Sequence, residues 1–233
     1  RVAPGLQGRI VCCPSDAVEC REGDLYHAGE RLHAVWELGV NERCPEKYFF
    51  PFKNRRIAYF NSSLAFCLGD KRALSLLSKH ADDSCYSPHE QALIHRHVPW
   101  SRDVEDVETR YEGRTVPLLG VVRRYRERLV LKKGFGMKGE QVVLGPATLP
   151  DAWDDALRTA LRENDWVVQE YVEPRSYLYQ WGQKGVSPFR GVWGTFCFGD
   201  TYAGAYLRIS PESRLAPINS AQGAMTCLVF EAP

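Results

Sequence analysis

The stretch from residue 129 to 172 constrains the fold of this chain more than any other. Leu129-Val130-Leu131 is a short apolar strand that ends on a lysine pair, Lys132-Lys133. Glycines follow at 134, 136 and 139, and Val142-Val143-Leu144 reads as a returning strand. Pro150 and Asp151 then open a helix, with proline in the first turn and an acid at the positive end of the dipole. Trp153, Ala156, Leu157, Ala160 and Leu161 fall on one apolar face at helical spacing, and Asn164-Asp165 closes the helix. Trp166-Val167-Val168 is a buried strand that turns polar at Gln169 and is stopped by Pro174.

A strand, a glycine-rich turn and a strand make a hairpin whose tip has bare backbone N–H groups. Backbone can approach an anion there, and a lysine at the strand end can neutralise it. The same composition also describes a flexible tip with solvated lysines. The polar segment Gln169-Glu170-Tyr171-Val172-Glu173 suits a linker between two lobes. Its backbone could meet an adenine edge, with a carboxylate nearby for a ribose.

Composition narrows the class of partner. At 233 residues the chain suits one large domain or two small lobes, and 44% apolar content predicts a folded core. A net charge of +1 argues against nucleic acid or an anionic membrane as the main partner. The sequence has no 18-residue apolar run and no signal-peptide pattern, which predicts a soluble, cytoplasmic protein. Eight cysteines without a C-x-x-C pair read as buried free thiols in a reducing compartment rather than a zinc site or disulfide framework.

Before the central stretch, Ile10 to Cys13 reads as a strand, and residues 18 to 27 as a hairpin turning at Arg21-Glu22-Gly23-Asp24. Residues 31 to 36 continue that sheet. Residues 45 to 68 are aromatic-rich core, with a turn at 54 to 56 and a strand at 57 to 60. Gly69-Asp70 caps a helix with Lys71 in its first turn and Ala73, Leu74, Leu76 and Leu77 inward. A lysine is the wrong charge for that end of the dipole unless an anion shares it. Ser87-Pro88-His89-Glu90 is a capping box. Residues 103 to 114 read as an exposed loop or irregular strand, and Val116 to Arg128 as an amphipathic helix. Beyond the hinge, 175 to 190 lacks periodicity and reads as a connection. Residues 192 to 208 form a hairpin turning at Gly199-Asp200, and Arg208 ends an apolar strand in want of a partner.

Four stretches together resemble the circularly permuted ATP-grasp family, related to glutathionylspermidine-synthetase-like proteins. They are Asp70-Lys71-Arg72-Ala73-Leu74, Ser87 to Arg102, 129 to 172, and 202 to 223, with Ile218 to Ala224 similar to an Asn-x-x-x-Gly-Gly segment. The resemblance implies an α+β fold of ATP-grasp type: two α/β lobes with mainly antiparallel sheets enclosing a nucleotide cleft. It divides the chain into a sheet-rich part at 1–68, a small lobe with the glycine-rich loop at 69–168, and a hinge with part of the large lobe at 169–233. It further implies an ATP- and Mg²⁺-dependent carboxylate–amine ligase working through an acyl-phosphate, on a peptide or amino-acid substrate.

By the same resemblance, Lys71 and Lys132 are the two ATP lysines, and Gly134, Gly136, Lys138 and Gly139 form the phosphate loop. Gln169, Glu170, Tyr171 and Val172 would border adenine, with Glu173 at the ribose. Arg208, beside Asn219, would contact the transferring phosphoryl group, so Lys132 and Arg208 are the catalytic candidates. Two positions depart from many relatives: Lys133 stands in place of proline, and Lys138-Gly139-Glu140-Gln141 in place of Gly-Gly-Arg-Gly. The family's metal ligands would lie upstream of residue 1. The sequence is therefore expected to be the C-terminal part of a longer enzyme, with the N-terminal part of that enzyme, a small-molecule or peptide substrate and a second copy as candidate partners. A non-catalytic binding module and an ATP-grasp phosphotransferase are the alternatives.

Overall fold

In the computed structural model, residues 8–37, 46–60, 67–136, 139–180 and 185–230 are described. The chain separates into two compact units, Arg1–Gly69 and Asp70–Pro233. The segments anticipated as separate at 69–168 and 169–233 therefore share one unit.

In the first unit, β1 (Val18–Arg21), β2 (Asp24–His27) and β3 (Glu30–Leu32) form an antiparallel meander. The β1–β2 turn places Glu22 and Gly23 at φ of 51° and 83°, the two left-handed positions of a tight hairpin. β4 (Ala34–Trp36) leaves this sheet and pairs in parallel with β5 (Ala58–Phe60), so the strand anticipated at 31 to 36 is broken at His33. Between them lies α1 (Glu46–Lys53), a helix the aromatic run did not reveal. Tyr48, Val18, Leu25, Ile57 and Tyr59 close a small core. Residues 10 to 13, anticipated as a strand, have no regular structure.

The second unit starts with α2 (Arg72–Lys79) and α3 (Pro88–His97), the latter with its capping box complete. The phase of α2 differs from the pattern of its leucines: Leu74 and Leu76 are 39% and 60% exposed, and Ser75 is the buried residue. The cause is the neighbouring strand β6 (Ser101–Asp103). Ser78 Oγ accepts hydrogen bonds from Ser101 N–H and the Arg102 guanidinium, both at 3.0 Å. Small serines one turn apart let the helix approach where leucine would hold it off.

Residues 103 to 114 are more regular than anticipated. β7 (Glu108–Tyr111) and β8 (Arg114–Pro117) form a hairpin around Glu112-Gly113. The helix anticipated to Arg128 stops sooner, as α4 (Leu118–Arg124) followed by a single 3-10 turn. β9 (Leu129–Lys133), β10 (Val142–Leu144), α5 (Pro150–Glu163) and β11 (Trp166–Glu170) follow in the order anticipated. Together with β6 the strands make an antiparallel sheet, ordered β10-β9-β11-β6.

Strand alternation decides what each face carries. Leu129, Leu131, Trp166 and Val168 share a core with Trp153, Leu157 and Ala160 of α5. Val130 and Lys132 face the other way, with Val167 and Gln169 opposite them in register. Asn164 ends α5 in the left-handed conformation at φ 53°.

Residues 175 to 190, anticipated as an irregular connection, instead include β12 (Ser176–Gln180) and the start of β13 (Val186–Phe198). β14 (Thr201–Pro211) returns from the Gly199-Asp200 turn, and β15 (Met225–Leu228) completes a second antiparallel sheet, β12-β13-β14-β15. Phe189, Leu207 and Ile209 are its core. The architecture is thus α+β with mainly antiparallel sheets.

The thiol expectation needs correction. Cys12, Cys20, Cys85 and Cys197 are free but exposed, and Cys13 and Cys227 are free and half-buried. Cys44 and the side chain of Cys67 lie outside the described residues. No helix among the described residues is long and apolar enough to cross a membrane.

Candidate functional site

The site is built where α2 begins and the β9–β10 hairpin turns. Gly134 is the pivot. Its N–H donates to the Asp165 carbonyl at 2.6 Å, and its own carbonyl accepts from Lys71 N–H at 3.0 Å. A Cβ there would stand 2.8 Å from both the Asp165 carbonyl and Asp70 Oδ1, and 3.1 Å from Arg72 Nε. The first glycine of the loop is therefore fixed by close approach, not by a left-handed backbone.

Behind it, Asp70 lies just ahead of α2 and accepts from Arg72 N–H at 2.9 Å and from the Arg72 guanidinium. That hydrogen bonding from Arg72 is the main reason the Asp70 carboxyl sits below its ordinary range. Asp70 holds the Arg72 guanidinium above its ordinary value, with further help from Asp103 and Asp165. Asp103 Oδ1 and Asp165 Oδ1 are buried and have no hydrogen-bond partner.

Lys71 reaches across the loop. Its Nζ donates to the carbonyls of Gly136 at 2.7 Å, Lys133 at 3.1 Å and Gly134 at 3.4 Å. The dipole mismatch noted in the sequence is resolved by these three oxygens, which hold the ammonium without neutralising it. Burial pushes the Lys71 pKa down, partly opposed by Asp70.

Lys132 projects from the face opposite α5. Its Nζ donates to Gln169 Oε1 at 2.6 Å. Gln169 Nε2 donates in turn to Ser101 Oγ at 2.8 Å, and Ser101 donates to the Pro99 carbonyl at 2.8 Å. This relay fixes the amide so that its oxygen meets the lysine. Desolvation lowers the Lys132 pKa, and the nearby Lys71 ammonium lowers it further. No carboxylate among the described residues pairs with Lys132. Lys133, one residue on, points to the α5 face and is paired with Glu163 at 3.0 Å and Asp165 at 3.5 Å.

The other anticipated residues divide as follows. Gly136 has ordinary van der Waals space around it. Gly139, at φ +74°, lies against the segment after β14: a Cβ there would be 3.3 Å from Pro217 and Gln222 and 3.5 Å from Asn219. Loop and Asn219 are thus brought together. The Asn219 side-chain oxygen caps the following turn, accepting from Ala221 N–H at 2.9 Å. Lys138 lies outside the described residues.

At the hinge, Gln169 is buried and its side-chain oxygen accepts from Lys132. Glu170 N–H donates to Trp100 C=O and Tyr171 N–H to Arg128 C=O, both at 2.8 Å. Of the anticipated adenine edge, the Val172 N–H is the one still open among these three. Glu173 pairs with Arg190 at 3.3 Å. Arg208 lies on β14, its guanidinium 4.7 Å from the centre of the Tyr206 ring. Sequence reasoning missed Gln169 as an orienter, Ser101, the Asp70–Arg72 brace and Arg190 as the partner of Glu173; strand alternation carried a signal for Gln169 alone.

No protein-family model and no curated protein sequence matches the chain. Among the described residues no group of three or more His, Cys, Asp or Glu side chains is placed to hold a metal ion.

Proposed function

We propose that the chain is the nucleotide-binding part of an ATP-dependent carboxylate–amine ligase of ATP-grasp type. One observation supports this above the others. Lys132 is a half-buried ammonium with a neutral amide as its hydrogen-bond partner and a second ammonium, Lys71, beside it. A desolvated ammonium paired with no carboxylate destabilises a fold, and lysines whose pKa burial lowers in this way mark candidate places for an anion. A triphosphate supplies that charge, the loop at Gly134 to Gly139 supplies close backbone, and Val172 N–H supplies a donor for an adenine.

In this reading the substrate carboxylate attacks the γ-phosphorus, ADP leaves, and an amine displaces phosphate from the acyl-phosphate. Lys132 and Lys71 stabilise charge growing on the phosphoryl oxygens, and Gln169 holds Lys132 in place. No ligand set for the Mg²⁺ that such a reaction uses is assembled among the described residues.

A non-catalytic module is the second reading. It is favoured by the Lys71 ammonium, which already has three carbonyl acceptors and so could serve as a loop brace. Calorimetric titration with ATP, on wild type and on Lys132→Ala, separates the two. Binding that weakens about thirty- to a thousandfold in the variant, corresponding to about 2–4 kcal/mol, supports the first. Absence of heat in wild type refutes it. ADP release with and without candidate amines then separates ligase from phosphotransferase.

A further inference from the structure

The hairpin tip gathers backbone oxygens around one positive charge. The carbonyls of Gly136, Lys133 and Gly134 converge on the Lys71 ammonium at 2.7, 3.1 and 3.4 Å, so a single bend of chain supplies all three acceptors. Among the described residues no carboxylate pairs with that ammonium; Asp70, which favours its charge, is engaged by Arg72. The group in this cage is thus a cation held by neutral oxygens alone.

The cage is held from outside as well. Lys133 N–H donates to the Gln141 carbonyl at 3.1 Å, and Gly134 N–H to the Asp165 carbonyl at 2.6 Å. The Gly134 carbonyl also accepts from the backbone N–H of Lys71 at 3.0 Å, using its second lone pair. None of these bonds involves the lysine side chain, so the oxygens keep their direction when that side chain leaves. An ammonium and a potassium ion are nearly the same size, and sets of backbone carbonyls replace the hydration shell of potassium. Sodium is smaller and cannot touch oxygens spread between 2.7 and 3.4 Å from one centre. The lysine itself is a point charge on a flexible stem, free to be drawn to a stronger partner.

We propose that the carbonyls of Lys133, Gly134 and Gly136 form a site for a monovalent cation of potassium size. The tethered Lys71 ammonium fills it in this structure, and the free ion takes its place when a bound polyanion draws Lys71 away. The arriving negative charge favours that exchange, because the cage then adds a third positive charge to those of Lys71 and Lys132. The exchange rests on the nucleotide reading; the carbonyl site does not.

The test compares potassium, sodium and choline chlorides at equal ionic strength on the full chain. In Lys71→Ala, potassium should raise the urea midpoint above its value in either other salt, and slow amide hydrogen exchange in the loop about threefold or more. Lys133→Ala, which removes a neighbouring ammonium without opening the cage, should show no preference for potassium. Wild type should show none by itself, yet should bind inorganic tripolyphosphate about threefold or more tighter in potassium than in sodium. Lys71→Ala insensitive to potassium overturns the site, as does a potassium preference of equal size in Lys133→Ala or in anion-free wild type. Equal tripolyphosphate affinity in potassium and sodium overturns the exchange, and decides the matter by itself if Lys71→Ala does not fold. Tripolyphosphate that binds wild type in none of the salts refutes the nucleotide reading instead, and a potassium response in Lys71→Ala then still upholds the carbonyl site.

Discussion

Alanine at Gly134 and at Gly136, two glycines of the same loop, should behave in opposite ways. At Gly134 the new methyl would lie 2.8 Å from the Asp165 carbonyl and from Asp70 Oδ1. The carbonyl is backbone and cannot swing aside, and Asp70 is held by Arg72. Overpacking of this kind costs about 1–3 kcal/mol. Relieving it moves Gly134 off its bonds to Asp165 and Lys71, each contributing about 1 kcal/mol. Whether the strain stays or is relieved at the loss of both bonds, Gly134→Ala should destabilise by about 1–3 kcal/mol. At Gly136 the nearest atoms to a new methyl are 3.5 and 3.6 Å away, and no left-handed backbone is needed. Gly136→Ala should change stability by less than about 0.5 kcal/mol, or raise it by up to about 1 kcal/mol through the unfolded chain. On the nucleotide reading it should also weaken ATP binding, because the methyl occupies space a phosphate would need. Urea unfolding of both variants, fitted as midpoints and slopes, reads the difference. Values for the two within about 0.5 kcal/mol of each other would refute the close-approach account of the loop.

Stability should rise as pH climbs from the depressed folded pKa of Lys132 toward the unfolded value of about 10.4, since the unfolded chain binds more protons across that interval. Lys132→Met should reduce that alkaline gain in urea midpoints, leaving the share due to Lys71, and an unchanged gain would count against the desolvated cation. Trp153→Ala should cost about 3–5 kcal/mol in the same assay, because the ring is fully buried and its N–H donates to the Val122 carbonyl at 3.1 Å.

Residues 129 to 172 were readable because local signals agreed there. Branched apolar runs, glycines, a proline at the helix start and a single apolar helix face all specify the same elements. The same holds for the Ser87 capping box and the Gly199-Asp200 hairpin. Residues 175 to 190 were not readable, because the burial of β12 and β13 depends on Phe189 meeting Leu207 and Ile209 from a later strand. The inward face of α2 was misleading for a related reason. Its leucines follow helical spacing, but serines 75 and 78 are what fit against β6.

What the sequence by itself determined are elements whose stabilising contacts lie within a few residues: the β9–β10 hairpin, α5 and the lysines at the loop's edge. Tertiary structure decided where those lysines point and what meets them. Lys71 turns to carbonyls more than 60 residues away, and Gln169 reaches Lys132 across the sheet. Each depends on the relative placement of segments far apart in the chain, and residue spacing alone does not encode that placement.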